Sequence, residues 1–159
     1  MNTSIRKFLE KQTCATICST DEKANPYCFS CYYVFDSENG LMYFKSSVET
    51  EHAQLLQKYR VISGTVLPDT LNKLITKGVQ LLGVVLSPDE IMTAGASAFY
   101  HKKMPFAVAM KGAVFTIRID RIKMTDSSRI FGKKINWERE SGEYVIPPLK
   151  KYLNLTKNK

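Results

Sequence analysis

The sequence predicts a mainly β protein, an antiparallel β-barrel of about six or seven strands with peripheral helices. Three observations carry this. Apolar and aromatic segments of strand length follow one another at hairpin spacing over residues 13–44. Glycines interrupt two later apolar runs, at Gly64, Gly78 and Gly83, where a closing sheet has to bend. The helical signatures are short and inserted between the strands.

In chain order, Ile5, Phe8 and Leu9 recur at helical spacing and give a short amphipathic opening helix. Residues 13–20 (TCATICST) alternate as a strand, 21–26 (DEKANP) form a turn, and 27–35 (YCFSCYYVF) form an aromatic strand. Residues 36–40 (DSENG) close a hairpin onto a third strand, 41–44. A helix is expected over 48–58, then a strand over 59–67, a turn at 68–72, and a long strand over 74–86. Ser87, Pro88 and Glu90 read as cap, first-turn proline and capping-box glutamate, so a helix is expected from there to Tyr100. A further helical turn is expected over 106–110. Residues 113–125 alternate as a strand, with Val114, Thr116, Arg118, Asp120 and Ile122 on one face and Phe115, Ile117, Ile119, Arg121 and Lys123 on the other. Residues 131–138 can pair with it, and 141–159 are a basic tail of the same domain, whose body is 1–140.

At 159 residues, 44% hydrophobic and 24% charged, the chain suits one domain with its own core. No apolar run reaches the roughly 18–20 residues of a membrane span, and the first residues lack a signal-peptide core, so a cytoplasmic location is expected. The net charge of +8 is concentrated late: residues 101–159 carry 14 Lys and Arg against five Asp and Glu. That excess fits an anionic ligand, a solvated face, or, less simply, nucleic acid; the cations are dispersed and no RNA-reading signature accompanies them. Cys14, Cys18, Cys28 and Cys31 are spaced too tightly for paired zinc knuckles and lie within strands, so they read as buried reduced thiols.

The most informative stretch is 41–56 (LMYFKSSVETEHAQLL), a strand turning into a helix through Lys45, Ser46 and Ser47. Free N–H groups at a helix start beside Ser and Thr hydroxyls form a phosphate seat. Each residue also has a plainer role. Ser46 and Thr50 serve equally as helix caps, His52 as a solvated surface residue, and Gln80 as the polar half of an alternating strand. Lys133, Lys134 and Trp137 fit a solvated turn with one core tryptophan. No Ser/His/Asp set, catalytic carboxylate pair or metal cage is legible, and His52 and His101 are the only histidines.

The order of motifs resembles the FMN-binding split barrel of the pyridoxamine 5′-phosphate oxidase-like superfamily, and within it the YhbP-like (UPF0306) branch. The carrying residues are Tyr43, Ser46, Thr50, His52, Ala53, Gln54, Gly64-Thr65-Val66, Gly78-Val79-Gln80 and Phe131-Gly132-Lys133-Lys134 with Trp137. The resemblance implies a six-stranded antiparallel split barrel of Greek-key type, and a homodimer with FMN at its interface. It implies the flavin phosphate at Lys45, Ser46, Ser47, Thr50 and His52, and the ring edge along Ser30, Cys31, Tyr32 and Tyr33. Gln80 would approach the ring or ribityl chain, Lys133 or Lys134 the phosphate, and Trp137 the ring or dimer seam.

It also implies a flavin-dependent oxidoreductase of unidentified substrate, or a non-catalytic flavin, haem or deazaflavin module on the same barrel. The carboxyl-terminal Arg-x-His pattern of true pyridoxamine phosphate oxidases is absent, which excludes that activity. Glu49 and Glu51 flank Thr50 where relatives carry cations, and a phosphate tolerates them only if they point outward.

Overall fold

The computed structural model describes residues 1–128 and 133–140. Its helices are α1 (Thr3–Lys11), α2 (Glu51–Lys58) and α3 (Ala96–Lys103). Its strands are β1 (Cys14–Thr20), β2 (Pro26–Asp36), β3 (Leu41–Ser46), β4 (Val61–Val66), β5 (Lys77–Val85), β6 (Ala113–Asp126) and β7 (Lys133–Glu138). The sheet order is β3-β2-β1-β4-β5-β6-β7, and β3 also pairs with β6, so six strands close into an antiparallel barrel and β7 extends it along β6. The β3–β4 connection carries α2 past the barrel and produces the expected Greek-key path. None of the described helices is long and apolar enough to cross a membrane.

The core follows from strand alternation. Ala15 and Ile17 of β1, Ile62 and Val66 of β4, and Val79, Leu81 and Val85 of β5 turn inward with Phe44, while Ile5, Phe8 and Leu9 of α1 cap one end. Asn2 caps α1 by accepting from the Ser4 N–H at 2.8 Å, and the Tyr33 hydroxyl donates to the Leu9 carbonyl at 2.7 Å, tying the helix to β2. A second cluster outside the barrel joins Val34, Leu41 and Tyr43 to Ala96 and Tyr100 of α3.

β6 departs from the expected alternation. Its register with β5 jumps between Leu82↔Arg121 and Gly83↔Ile119, leaving Asp120 as an extra residue. One inserted residue exchanges the two faces beyond it, so Ile122 and Met124 join Ile117 and Ile119 in the same core instead of facing away from them. Gly83 sits at this bulge because a Cβ there would run into the Arg118 carbonyl. Arg118 holds the displaced Asp120 carboxylate through Nε at 2.8 Å and Nη2 at 3.1 Å.

Other expectations need correction. The helix expected from Ser87 to Tyr100 is two pieces, a 3₁₀ turn Ile91–Thr93 and α3, which runs on to Lys103. Glu90 does accept from the Ser87 N–H, at 2.8 Å, as a capping box requires, but it also pairs with Arg60, and Gly95 at φ 78° breaks the helix. The long strand begins only at Lys77; Leu71 and Leu74 before it are 70% and 93% exposed. The helical turn expected at 106–110 is present, as a 3₁₀ turn over Pro105–Ala109. The four cysteines are not all buried reduced thiols. Cys18 and Cys28 are direct cross-strand partners with Cα atoms 4.2 Å apart and form a disulfide, and Cys14 is exposed. Register places a cross-strand pair face to face, a proximity that spacing along one strand does not reveal. Phe131, Gly132, the side chain of Lys133 and the tail 141–159 lie outside the described residues.

Candidate functional site

Ser46 ends β3 on the same face as Phe44, and the chain turns through Ser47 so that Thr50 caps α2. The turn is fixed locally: the Thr50 N–H and hydroxyl both donate to the Ser47 carbonyl, at 3.4 and 2.8 Å. This brings Ser46 Oγ to 2.7 Å and Thr50 Oγ1 to 3.1 Å from His52 Nε2, and to 3.4 Å from each other. The Ala53 N–H donates to Thr50 Oγ1, and the Gln54 N–H is the first to bond within the helix, to the Thr50 carbonyl. The N–H groups of Glu51 and His52 therefore stand outside the intrahelical ladder, at the positive end of the helix dipole.

Hydrogen-bond direction decides what this cluster does. The Thr50 hydroxyl gives its proton to the Ser47 carbonyl, so towards His52 it can only accept. His52 Nε2 is then the donor, and Ser46, beside the same nitrogen, also faces an N–H. Ser46 hands no proton to the imidazole, and the pair is not a nucleophile and its base. It is a set of donors and rotatable hydroxyls converging on one point. Burial holds the His52 imidazole below its ordinary 6.5, so it is neutral at pH 7 and contributes an N–H without a full charge. Glu49 and Glu51 are exposed.

His52 is held from behind by Phe29, whose ring stacks on it at 4.1 Å and 16° and also packs against Phe44 at 5.7 Å. Sequence reasoning missed Phe29. The signal lay in the β1–β2 register, which turns Phe29 inward opposite Ile17.

Lys45 alternates away from this cluster: its ammonium lies 3.1 Å from His101 Nε2 and donates to the Ala107 carbonyl at 2.8 Å. An ammonium only donates, so His101 Nε2 accepts and its Nδ1–H points to Ser97 Oγ at 3.2 Å. Lys45 thus anchors the α3 region to β3. Ser47 supplies its carbonyl to Thr50 and its Oγ to the Glu49 N–H.

The residues expected at a ring edge divide by strand face. Ser30 and Tyr32 point outward and are exposed, whereas Tyr33 is buried and Cys31 half-buried on the core side. Burial pushes the Cys31 thiol up to about 12 and the Tyr33 phenol up as well, so neither ionises near neutrality. Ser30 belongs to a row that sequence reasoning did not assemble. Ser30, Thr16, Thr65, Gln80, Lys123 and Asn136 are successive cross-strand partners over β2, β1, β4, β5, β6 and β7. Alternation places all of them on the outer face, where Thr65, Gln80, Lys123 and Asn136 line a groove of about 580 Å³. Ser30 and Gln80 are three strand spacings apart, about 14 Å. Lys134 is exposed on β7; Trp137 is half-buried against the barrel core, with the Arg139 guanidinium 5.7 Å from its ring. The structure thus brings Ser46, Thr50 and His52 together around Ser47, places Ser30 and Gln80 in one row about 14 Å apart, and turns Lys45 to His101 and Ala107 and Tyr33 and Trp137 to the core.

Among the described residues, no group of three or more His, Cys, Asp or Glu side chains is arranged to hold a metal ion. No family model matches the sequence. The chain is 33% identical over 141 residues, 87% of its length and 94% of the relative's, to UPF0306 protein YhbP of Salmonella schwarzengrund. Among solved structures it is similar to a haem-binding protein from Mycobacterium smegmatis, with TM-score 0.69 and 17% identity over 84% of this chain and 55% of that one. It is also similar to a pyridoxamine 5′-phosphate oxidase-related, FMN-binding protein from Nostoc punctiforme, with TM-score 0.63 and 8% identity over 87% and 90% of the two chains. These two likenesses are of fold, and agree with the closed six-stranded barrel. By its identity to a relative that it matches almost end to end, the chain belongs to the UPF0306, YhbP-like family.

Proposed function

We propose that the protein binds FMN, with the flavin phosphate at the Ser46–Thr50–His52 cluster, and acts as a flavin-dependent oxidoreductase on a small substrate. The observation that carries this is the convergence of both hydroxyls, the imidazole Nε2 and the start of α2 on one point. The donors that fit a phosphate are the backbone N–H groups of Glu51 and His52 and the rotatable Ser46 hydroxyl, which His52 Nε2 and Thr50 hold in place. Glu49 and Glu51 are exposed, where water screens unit charges to about 1 kcal/mol at 4 Å. Bound flavin supplies hydride or one-electron transfer. The chain's own part is to bind and orient: the phosphate at the cluster, and the polar Ser30–Asn136 row as a donor and acceptor surface on the outer sheet face. A homodimer joined across that face, bringing basic residues of a second copy to the phosphate, is part of the same reading.

Flavin is favoured over haem because both histidines have Nε2 engaged, His52 with Ser46 and Thr50, and His101 with Lys45. Titrating the purified protein with FMN while following flavin fluorescence tests the reading. Stoichiometric quenching, lost in Ser46→Ala/Thr50→Ala, supports it, and reduction of the bound flavin by NADH or NADPH supports the oxidoreductase. A protein that leaves FMN fluorescence unchanged and turns red with hemin instead reverses it.

A further inference from the structure

The disulfide lies next in sequence to the residue that supports the phosphate seat. Cys28 is followed by Phe29, and Phe29 stacks on His52. β2 is held unevenly along its length. Tyr33, Val34, Phe35 and Asp36 pair with β3, but from Pro26 to Tyr32 the described pairing is with β1 alone. Among the described residues this outer half is a sheet edge, paired on one side only, to β1. One covalent tie, between Cys18 and Cys28, fastens it to β1, which is itself fixed to β4 at Thr16, Ile17 and Cys18. The side chains alternate, so the tie sits on the outer face while Phe29 points inward.

We propose that the Cys18–Cys28 disulfide is a redox control on the phosphate seat: its reduction loosens the outer half of β2, slackens the Phe29–His52 stack and weakens anion binding. The inference rests on the phosphate-seat reading above, and supplies that site with a regulator.

The chemistry requires an external dithiol, small or protein-borne. Cys28 is exposed on the outer face, where a thiolate can reach its sulfur. Attack on Cys28 Sγ breaks the S–S bond and forms a mixed disulfide. Cys18 leaves as a thiolate and takes a proton, and the reductant's second thiol displaces Cys28. Two electrons and two protons reach the protein, and the reductant leaves as its own disulfide. Neither remaining cysteine substitutes for it. Cys31 lies on the opposite face of β2 with its thiol held protonated by burial, and Cys14 is four residues along β1 from Cys18, about 13 Å.

The test follows His52 by NMR, with and without a dithiol reductant, in the full chain and in Cys18→Ser/Cys28→Ser, and titrates inorganic phosphate in each state. In the oxidised protein alkylation after denaturation should label two thiols, Cys14 and Cys31, and in the folded protein His52 should titrate below its ordinary value. Reduction should expose two more thiols, move the His52 titration back toward that value and weaken phosphate binding several-fold. The double serine variant should behave as the reduced protein at every redox state, which separates the tie from other effects of the reductant. Four labelled thiols under air overturn the proposal, as does a His52 titration unmoved by reduction. If phosphate binds in neither state while His52 still responds, the phosphate-seat reading fails and the control of His52 by the disulfide stands.

Discussion

His52 is where position and chemistry meet most directly. The ring is pressed between Phe29 and the Ser46–Thr50 pair, and burial makes its protonation unfavourable. The unfolded chain therefore binds that proton more readily than the folded one. Folding stability should fall as pH drops below 6.5 and level off once His52 in the folded protein is itself protonated. Urea midpoints across this window should show the slope, and His52→Asn should flatten it. A phosphate at the seat stabilises the imidazolium, so ligand should move the NMR titration of His52 upward. Thr50 carries two tasks that one substitution can separate. Thr50→Ala removes the cap of α2, at about 1 kcal/mol of stability, and an acceptor that orients His52 beside the seat, worth about tenfold in FMN affinity. Thr50→Ser should preserve both in denaturation and fluorescence titrations. Ser46 and Thr50 were legible from sequence because a strand followed by a hydroxyl-rich helix start is a local pattern. Phe29 was not, because its contact with His52 crosses from one hairpin strand to a helix 23 residues later.

At the scale of elements, β6 decides the shape of the barrel. It pairs with β5, β3 and β7, and its bulge at Asp120 returns Ile122 and Met124 to the core after the face has already been used by Ile117 and Ile119. Gly83→Val should cost about 1–3 kcal/mol in urea denaturation, since its side chain would meet the Arg118 carbonyl and force the bulge apart. Gly95→Ala should cost about 1–2 kcal/mol and leave FMN binding unchanged, because its penalty is the left-handed backbone at φ 78° with open space around it. The alternating pattern of residues 113–125 announced a strand, yet a period of two carries no mark of the residue that slips out of register. The capping box at Ser87 likewise formed without a full helix, since Gly95 and the Glu90 contact with Arg60 redirected the chain.

For the whole molecule, the outer sheet face is the feature still lacking a partner in this reading. It presents the Ser30–Asn136 row, Tyr32 at 67% exposure, and Arg121 and Lys123 beside the groove. If two copies meet there, light scattering should give twice the 18.1 kDa mass, and Tyr32→Glu with Lys123→Glu should yield monomers and weaken FMN binding together. Loss of the dimer without loss of FMN binding would place the cofactor within one barrel.

The sequence by itself determined the β-barrel class, the early three-strand meander, the strand-to-helix turn at Ser46–Thr50 and the family resemblance. The first three rest on periodicity and local motifs, and the resemblance on the order of short motifs from Tyr43 to Trp137. Only the tertiary structure decided that Lys45 turns to His101 and Ala107, that Cys18 and Cys28 meet, that Phe29 braces His52, and that Ser30 and Gln80 share one row. Those outcomes depend on strand register, and register is set by the pairing of distant segments and the bulge between them, which no local pattern records.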